Sequence, residues 1–183
     1  MKKLMLSALA ATLALSACGD AGHAASAREP ELTTTLTPDE VPVGKSFELR
    51  LRGTNAQEYR SVLVPVRALQ VTTLSGEPLS VRLAARTVEL TDAEHAYLVG
   101  HFFVPEGVSS VRIQLAFDDY GGWEKGGEGG ALNTQVAPVS FEAPVDSLSQ
   151  RGRAVVQLDV GKSLQVDGAQ DERVLLPTLK VSY

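Results

Sequence analysis

"VSSVRIQLAF" (residues 108–117) is the stretch that decides the fold. Val111, Ile113, Leu115 and Phe117 alternate with Arg112, Gln114 and Ala116. A period of two gives one buried face and one wet face, the pattern of a strand in an antiparallel sheet. The alternation ends at Phe117. There a second stretch begins, "FDDYGGWEKGGEGGALN" (117–133), which holds six glycines and the only tryptophan of the chain. Glycine disfavours strands, so this stretch reads as a variable, mobile loop between strands.

Other segments repeat the period. In "SFELRLRGT" (46–54), Phe47, Leu49 and Leu51 alternate with Glu48, Arg50 and Arg52. "VLVPVRALQVTT" (62–73) puts Val62, Val64 and Val66 on one face, then Leu69 and Val71. The phase slips near Ala68, which predicts a bulge, and Pro65 suits an edge or bulged position. "TLSGEPLS" turns the chain, and "VRLAARTVEL" (81–90) resumes strand character. In "TDAEHAY", Thr91 and Glu94 have capping-box spacing, which predicts a single helical turn. "YLVGHFFVP" (97–105) is apolar on both faces, with His101 expected beside Val99 and Phe103. In "RAVVQLDV" (153–160), Val156, Leu158 and Val160 face one way and Gln157 and Asp159 the other. "QVAPVSFEAPV", "SLQVDG" and "RVLLPTLKVSY" complete the set. No stretch after the leader reads as a long amphipathic helix, and no internal repeat is visible. Roughly eight short strands separated by turn signals predict an all-β fold, a single antiparallel β-sandwich.

The N-terminus carries a different signal. "MKKLMLSALAATLALSACGD" starts with Lys2 and Lys3, continues with an apolar run from Leu4 to Leu15, and reaches Cys18, the only cysteine. The run is too short for a stable span and fits a secretory signal peptide. Leu15-Ser16-Ala17-Cys18 resembles a bacterial lipobox. The resemblance implies cleavage before Cys18, lipidation of its sulfur and acylation of the new N-terminus. Several acyl chains, palmitate among them, give lasting anchorage where one does not. Gly19 after the cysteine, by the same resemblance, points to the outer membrane of a Gram-negative envelope. The expected organisation is a signal peptide over 1–17, a lipidated Cys18 with a flexible tether over 18–30, and a β-sandwich domain over 31–183. His23 lies in the tether and reads as solvated.

Cleavage there leaves 15 basic residues against 22 acidic ones, a net charge of about −7. That balance argues against nucleic acid, because phosphates need Lys and Arg. The membrane is then met through the lipid, not through charge. With Cys18 acylated no disulfide is available, so the core alone holds the fold.

The second half resembles an uncharacterised family of bacterial secreted and lipoprotein domains. The shared features are "FFVPEGVSSVRIQL", "AVVQLDVGKSLQVDG" and "RVLLPTLKV", with "SVLVPVRALQVTTLSG" and "VELTD" upstream. They cover roughly Ser61–Tyr183. Glu89 stands where that pattern has Asp, and Gly161 follows Val160 where a second Asp is usual. The resemblance implies an immunoglobulin- or transthyretin-like sandwich in the cell envelope, and no activity.

Chemical motifs are sparse. There is no G-x-S-x-G, no C-x-x-C and no H-E-x-x-H. His101 reads as a core-edge histidine; His95, six residues away across a turn, could meet it in space, but nothing in the sequence requires a metal pair. Asp118, Asp119, Glu124 and Glu128 offer the hard oxygens calcium prefers, but their spacing matches no EF-hand. A solvated acidic hairpin loop is the simpler reading. Tyr120 and Trp123 could stack on a sugar or peptide, with Asp118 and Glu124 bonding its polar groups. Trp123 folding back as a lid on the core is the competing reading. The expected function is a non-catalytic binding, adhesion or structural module of the envelope, with no cofactor and with a glycan or envelope protein as partner. The rival is a loop-borne hydrolase or metal-dependent enzyme built on Asp118, Asp119, Glu124 and a histidine.

Overall fold

Residues 43–167 and 172–183 are described by the structure, a computed structural model. The signal peptide, Cys18, the tether with His23 and the first residues of the expected domain lie outside the described residues, as does Gly168. In chain order the strands are β1 (Gly44–Thr54), β2 (Ser61–Thr73), β3 (Val81–Leu83), β4 (Thr87–Glu89), β5 (Tyr97–Pro105), β6 (Ser110–Phe117), β7 (Tyr120–Lys125), β8 (Glu128–Asn133) and β9 (Val139–Pro144). A short helix α1 (Val145–Arg151) leads to β10 (Arg153–Asp159), and a single turn α2 (Val160–Ser163) leads to β11 (Leu164–Asp167). β12 (Glu172–Leu175) and β13 (Leu179–Ser182) close the chain.

Two sheets pack against each other as a β-sandwich. The smaller has the order β13-β10-β1-β5-β3; the larger runs β11-β12-β8-β7-β2-β6-β9, with β4 attached to β2. Alternation does what the sequence predicts. Phe47, Leu49 and Leu51 of β1 and Val156 and Leu158 of β10 are buried from one sheet. Val62, Val64 and Val66 of β2 and Ile113, Leu115 and Phe117 of β6 are buried from the other. Each such side chain contributes roughly 1.5–3 kcal/mol on burial. The Phe47 and Phe102 rings meet at 5.7 Å, tilted by 35°. The register of β2 against β6 shifts between Val66 and Ala68, at the predicted bulge.

Most ladders are antiparallel. Among the described residues two are parallel, β1 with β10 and β8 with β12. The first arises because α1 carries the chain from the larger sheet to the smaller one before β10 begins. It brings Arg50 beside Val155 and Arg52 beside Gln157.

Three expectations need correction. "VRLAARTVEL" is not one strand: β3 pairs β5 in the smaller sheet, and β4 pairs β2 in the larger. Glu89 anchors this crossing. Its carboxylate accepts from Ser61 Oγ at 2.6 Å, Val62 N at 2.8 Å, Thr91 N at 3.0 Å and Thr91 Oγ1 at 2.8 Å. Burial pushes this carboxyl up, but the four bonds together outweigh it and hold it below the ordinary value. Second, residues 91–96 form bends and no helix; Asp92 Oδ1 accepts from the backbone N–H of Glu94 and His95, both at 3.2 Å. The cap-like residue is Asp92, because Thr91 is already bound to Glu89.

The third correction concerns 117–133, which is a hairpin and not a loop. β7 and β8 pair over their full length, from Tyr120–Asn133 to Lys125–Glu128. β6 and β7 both pair with β2, joined by Asp118 N donating to Pro65 O at 3.0 Å. β9 pairs β6 as β8 pairs β7. Residues 110–144 are therefore one long hairpin with an irregular step near Asp118. At its tip Gly126 and Gly127 have φ of +60° and +87°. Two positive φ values are what a tight two-residue turn requires, and glycine supplies them without steric cost. Gly121 meets a different demand: a Cβ there would lie 2.2 Å from Leu63 O.

Candidate functional site

The residues singled out in the sequence lie on the distal half of this hairpin. Trp123 is half-buried and packs against the core. The Arg173 guanidinium lies 4.0 Å from its ring centroid, and Gly130 sits opposite it across the ladder. Arg173 also donates from Nη1 to Tyr59 Oη at 3.4 Å. Lys125 pairs with Glu58 and lies 5.4 Å from the Tyr59 ring. The hydrogen bond from Lys125 holds the Glu58 carboxyl below its ordinary value. Glu124 binds Arg60 Nη1 at 3.0 Å, and its carbonyl accepts the Arg60 N–H at 2.8 Å.

Tyr120 is 58% exposed. It stands three residues from Trp123 on the same strand, and odd separations along a strand point to opposite faces. The two rings are therefore not brought together on one surface. Asp118 Oδ1 accepts the N–H of Asp119 at 3.0 Å, and its carbonyl accepts Thr134 Oγ1. The chemistry of this region is that of a closed hairpin: each formal charge of Glu124, Lys125 and Arg173 has a local partner.

The histidines are separated by the fold. His95 Nδ1 lies 2.9 Å from Asp92 Oδ2. His101 sits on β5 beside Glu48 of β1 and Arg82 of β3. It shares the outer, half-buried face with Phe103, whereas Val99 is turned into the core by a register shift opposite Leu49 and Arg50. Asp118, Asp119 and Glu124 do not converge with either histidine. Among the described residues, no group of three or more His, Cys, Asp or Glu side chains is placed to hold a metal ion.

A second region carries no motif in the sequence. On the outer face of the smaller sheet lies a cavity of about 520 Å³. Arg50 and Arg52 come from β1, Arg153 and Gln157 from β10, Arg151 from the last turn of α1 and Ser182 from β13. Glu94 and His95 form part of its wall. Arg50 is fixed by Glu48, Nε to Oε2 at 2.9 Å, and by the Ala96 carbonyl at 3.2 Å. Gln157 Nε2 donates to Ser182 Oγ at 3.1 Å. Arg52, Arg151 and Arg153 make no ion pair among the described residues, and the buried Nε of Arg52 has no acceptor there. In sequence these arginines read as the wet faces of two strands about a hundred residues apart. The only available signal is that "ELRLR" and "RGR" concentrate arginine in an acidic chain.

No family model, curated protein or solved structure matches this chain. The resemblance along Ser61–Tyr183 therefore rests on its strand motifs alone.

Proposed function

We propose that this protein is a lipid-anchored protein of the cell envelope whose β-sandwich is a non-catalytic binding module. It works through the outer face of the smaller sheet. The observation that carries this reading is the concavity lined by Arg50, Arg52, Arg151 and Arg153 on a hydrogen-bonded sheet floor. Side chains on regular strands keep their geometry better than side chains on loops, which is what recognition needs. The lipobox at Leu15–Cys18 supports anchorage.

Two variants test the reading. Cys18→Ser is expected to move the protein from membrane to soluble fractions; retention in the membrane overturns lipid anchoring. Val155→Trp fills the floor of the concavity without changing charge. Full-length protein applied to glycan and envelope-protein arrays should give a signal that this variant loses. Equal signal from both forms overturns binding through this face.

A further inference from the structure

We propose that the arginine-lined groove binds a multivalent oxyanion, with phosphate or carboxylate groups carried on a glycan or present as a free polyphosphate. This deepens the binding role given above and rests on it. Four guanidinium groups share one concavity, and among the described residues only Arg50 has a carboxylate partner, Glu48. Like charges gathered in a partly desolvated hollow repel one another, and an anion between them relieves that repulsion. Guanidinium presents a planar fork of N–H donors that matches carboxylate and phosphate in a bidentate way, which a lysine does not. Arg52 retains such donors, including a buried Nε without an acceptor among the described residues.

The spacing points to more than one charge on the ligand. Arg50 and Arg52 are two residues apart on β1, about 6.6 Å along the strand, and β10 lies about 4.8 Å to the side. One phosphate or carboxylate occupies one fork and leaves the others open. The anions already facing the groove do not fill it: Glu48 is held by Arg50, and Glu94 stands on the wall beside His95, which is bound to Asp92. The floor between the arginines is neutral, made by Val155 and the bonded pair Gln157 and Ser182. Such a floor suits hydroxyl groups of a sugar. The sign of the groove also inverts that of the chain, whose formal charge is −5. A polyanion is repelled by most of the surface and drawn to this face.

The test is calorimetric titration of the full-length chain in non-ionic detergent at low salt. The probes are polygalacturonate, inorganic pyrophosphate and neutral dextran. Binding of either anion, but not of dextran, is expected. It should weaken by about tenfold or more in Arg52→Gln/Arg153→Gln, as loss of charged hydrogen bonds requires. Arg52→Lys/Arg153→Lys, which keeps the charge and loses the fork, should fall between. Polygalacturonate alone places the oxyanions on a glycan; pyrophosphate alone makes the ligand a free phosphate. Thermal melts confirm that each variant is folded, and the lysine pair remains decisive if the glutamine pair is not. Failure of both anions to bind, or equal binding by the folded variants, overturns the proposal. If Val155→Trp still abolishes array binding in that case, the binding face stands and only its ligand class falls.

Discussion

Glu124 near the tip of the glycine hairpin holds Arg60 at 3.0 Å, whereas Arg52 on the smaller sheet holds no carboxylate among the described residues. The same contrast extends across both regions. In the hairpin, Trp123 lies under Arg173 and Lys125 is tied to Glu58. In the groove, Arg52, Arg151 and Arg153 face a hollow with Glu94 on its wall, and none of the three makes an ion pair among the described residues. Trp123, Glu124 and Lys125, crowded together in sequence, are each met by a residue from elsewhere in the chain and hold a fold. Charged residues scattered in sequence have been gathered and left open. What separates the two regions is whether their charges are already satisfied, and residue type does not reveal that.

The contrast can be broken most sharply at Gly121. Gly121→Ala puts a Cβ against the Leu63 carbonyl, so the β2–β7 ladder must shift. We expect a loss of about 2–4 kcal/mol in denaturant unfolding, in the range of strong steric or backbone effects. An unchanged midpoint would mean that the hairpin is not held to β2. Next is Glu89→Gln, which turns an acceptor for four hydrogen bonds into a side chain with a mismatched donor. The expected cost is about 1–3 kcal/mol. The folded carboxyl sits below its ordinary value, so its contribution is complete above the unfolded value of about 4.3. It is lost as pH falls through the lower folded value. Wild-type stability should fall more steeply than that of Glu89→Gln over this acid range; parallel curves would remove Glu89 from the account. The smallest effect is expected in the groove. Arg52→Gln/Arg153→Gln should leave stability within about 0.5 kcal/mol of wild type, as for surface positions without structural partners. A loss as large as that at Gly121 would show the arginines to be structural and erase the distinction between the two regions.

Much of the sandwich was legible because one face of each strand is buried. β1, β2 with its bulge near Ala68, β6 and β10 follow from alternation alone. Other parts depend on distant partners. Residues 81–90 alternate smoothly, but their two halves join different sheets, and nothing local marks the crossing at Ala84–Arg86. The glycines of 117–133 suggested mobility because their reasons are tertiary: Leu63 O crowds Gly121, and the Trp123 ring occupies the space over Gly130. A sugar or peptide stacked on both Tyr120 and Trp123 needs a loop, in which spacing is free; on a strand the spacing itself points the two rings apart. The groove was invisible because it exists only through the parallel ladder of β1 and β10.

That ladder has a kinetic consequence. The long hairpin joins near neighbours in the chain, and its tip needs only a two-residue turn. Glu48 meets Arg153 only after more than half of the described chain has been made and placed between them. Closing a long loop carries a larger entropic cost before any contact repays it, so the hairpin should form early and the β1–β10 ladder late. Pulsed hydrogen exchange during refolding should protect β7 and β8 amides before those of β1 and β10; the reverse order would refute this sequence of events. A surface built on the last ladder to close is absent from every partly folded chain. Whatever the groove captures is captured by finished protein alone.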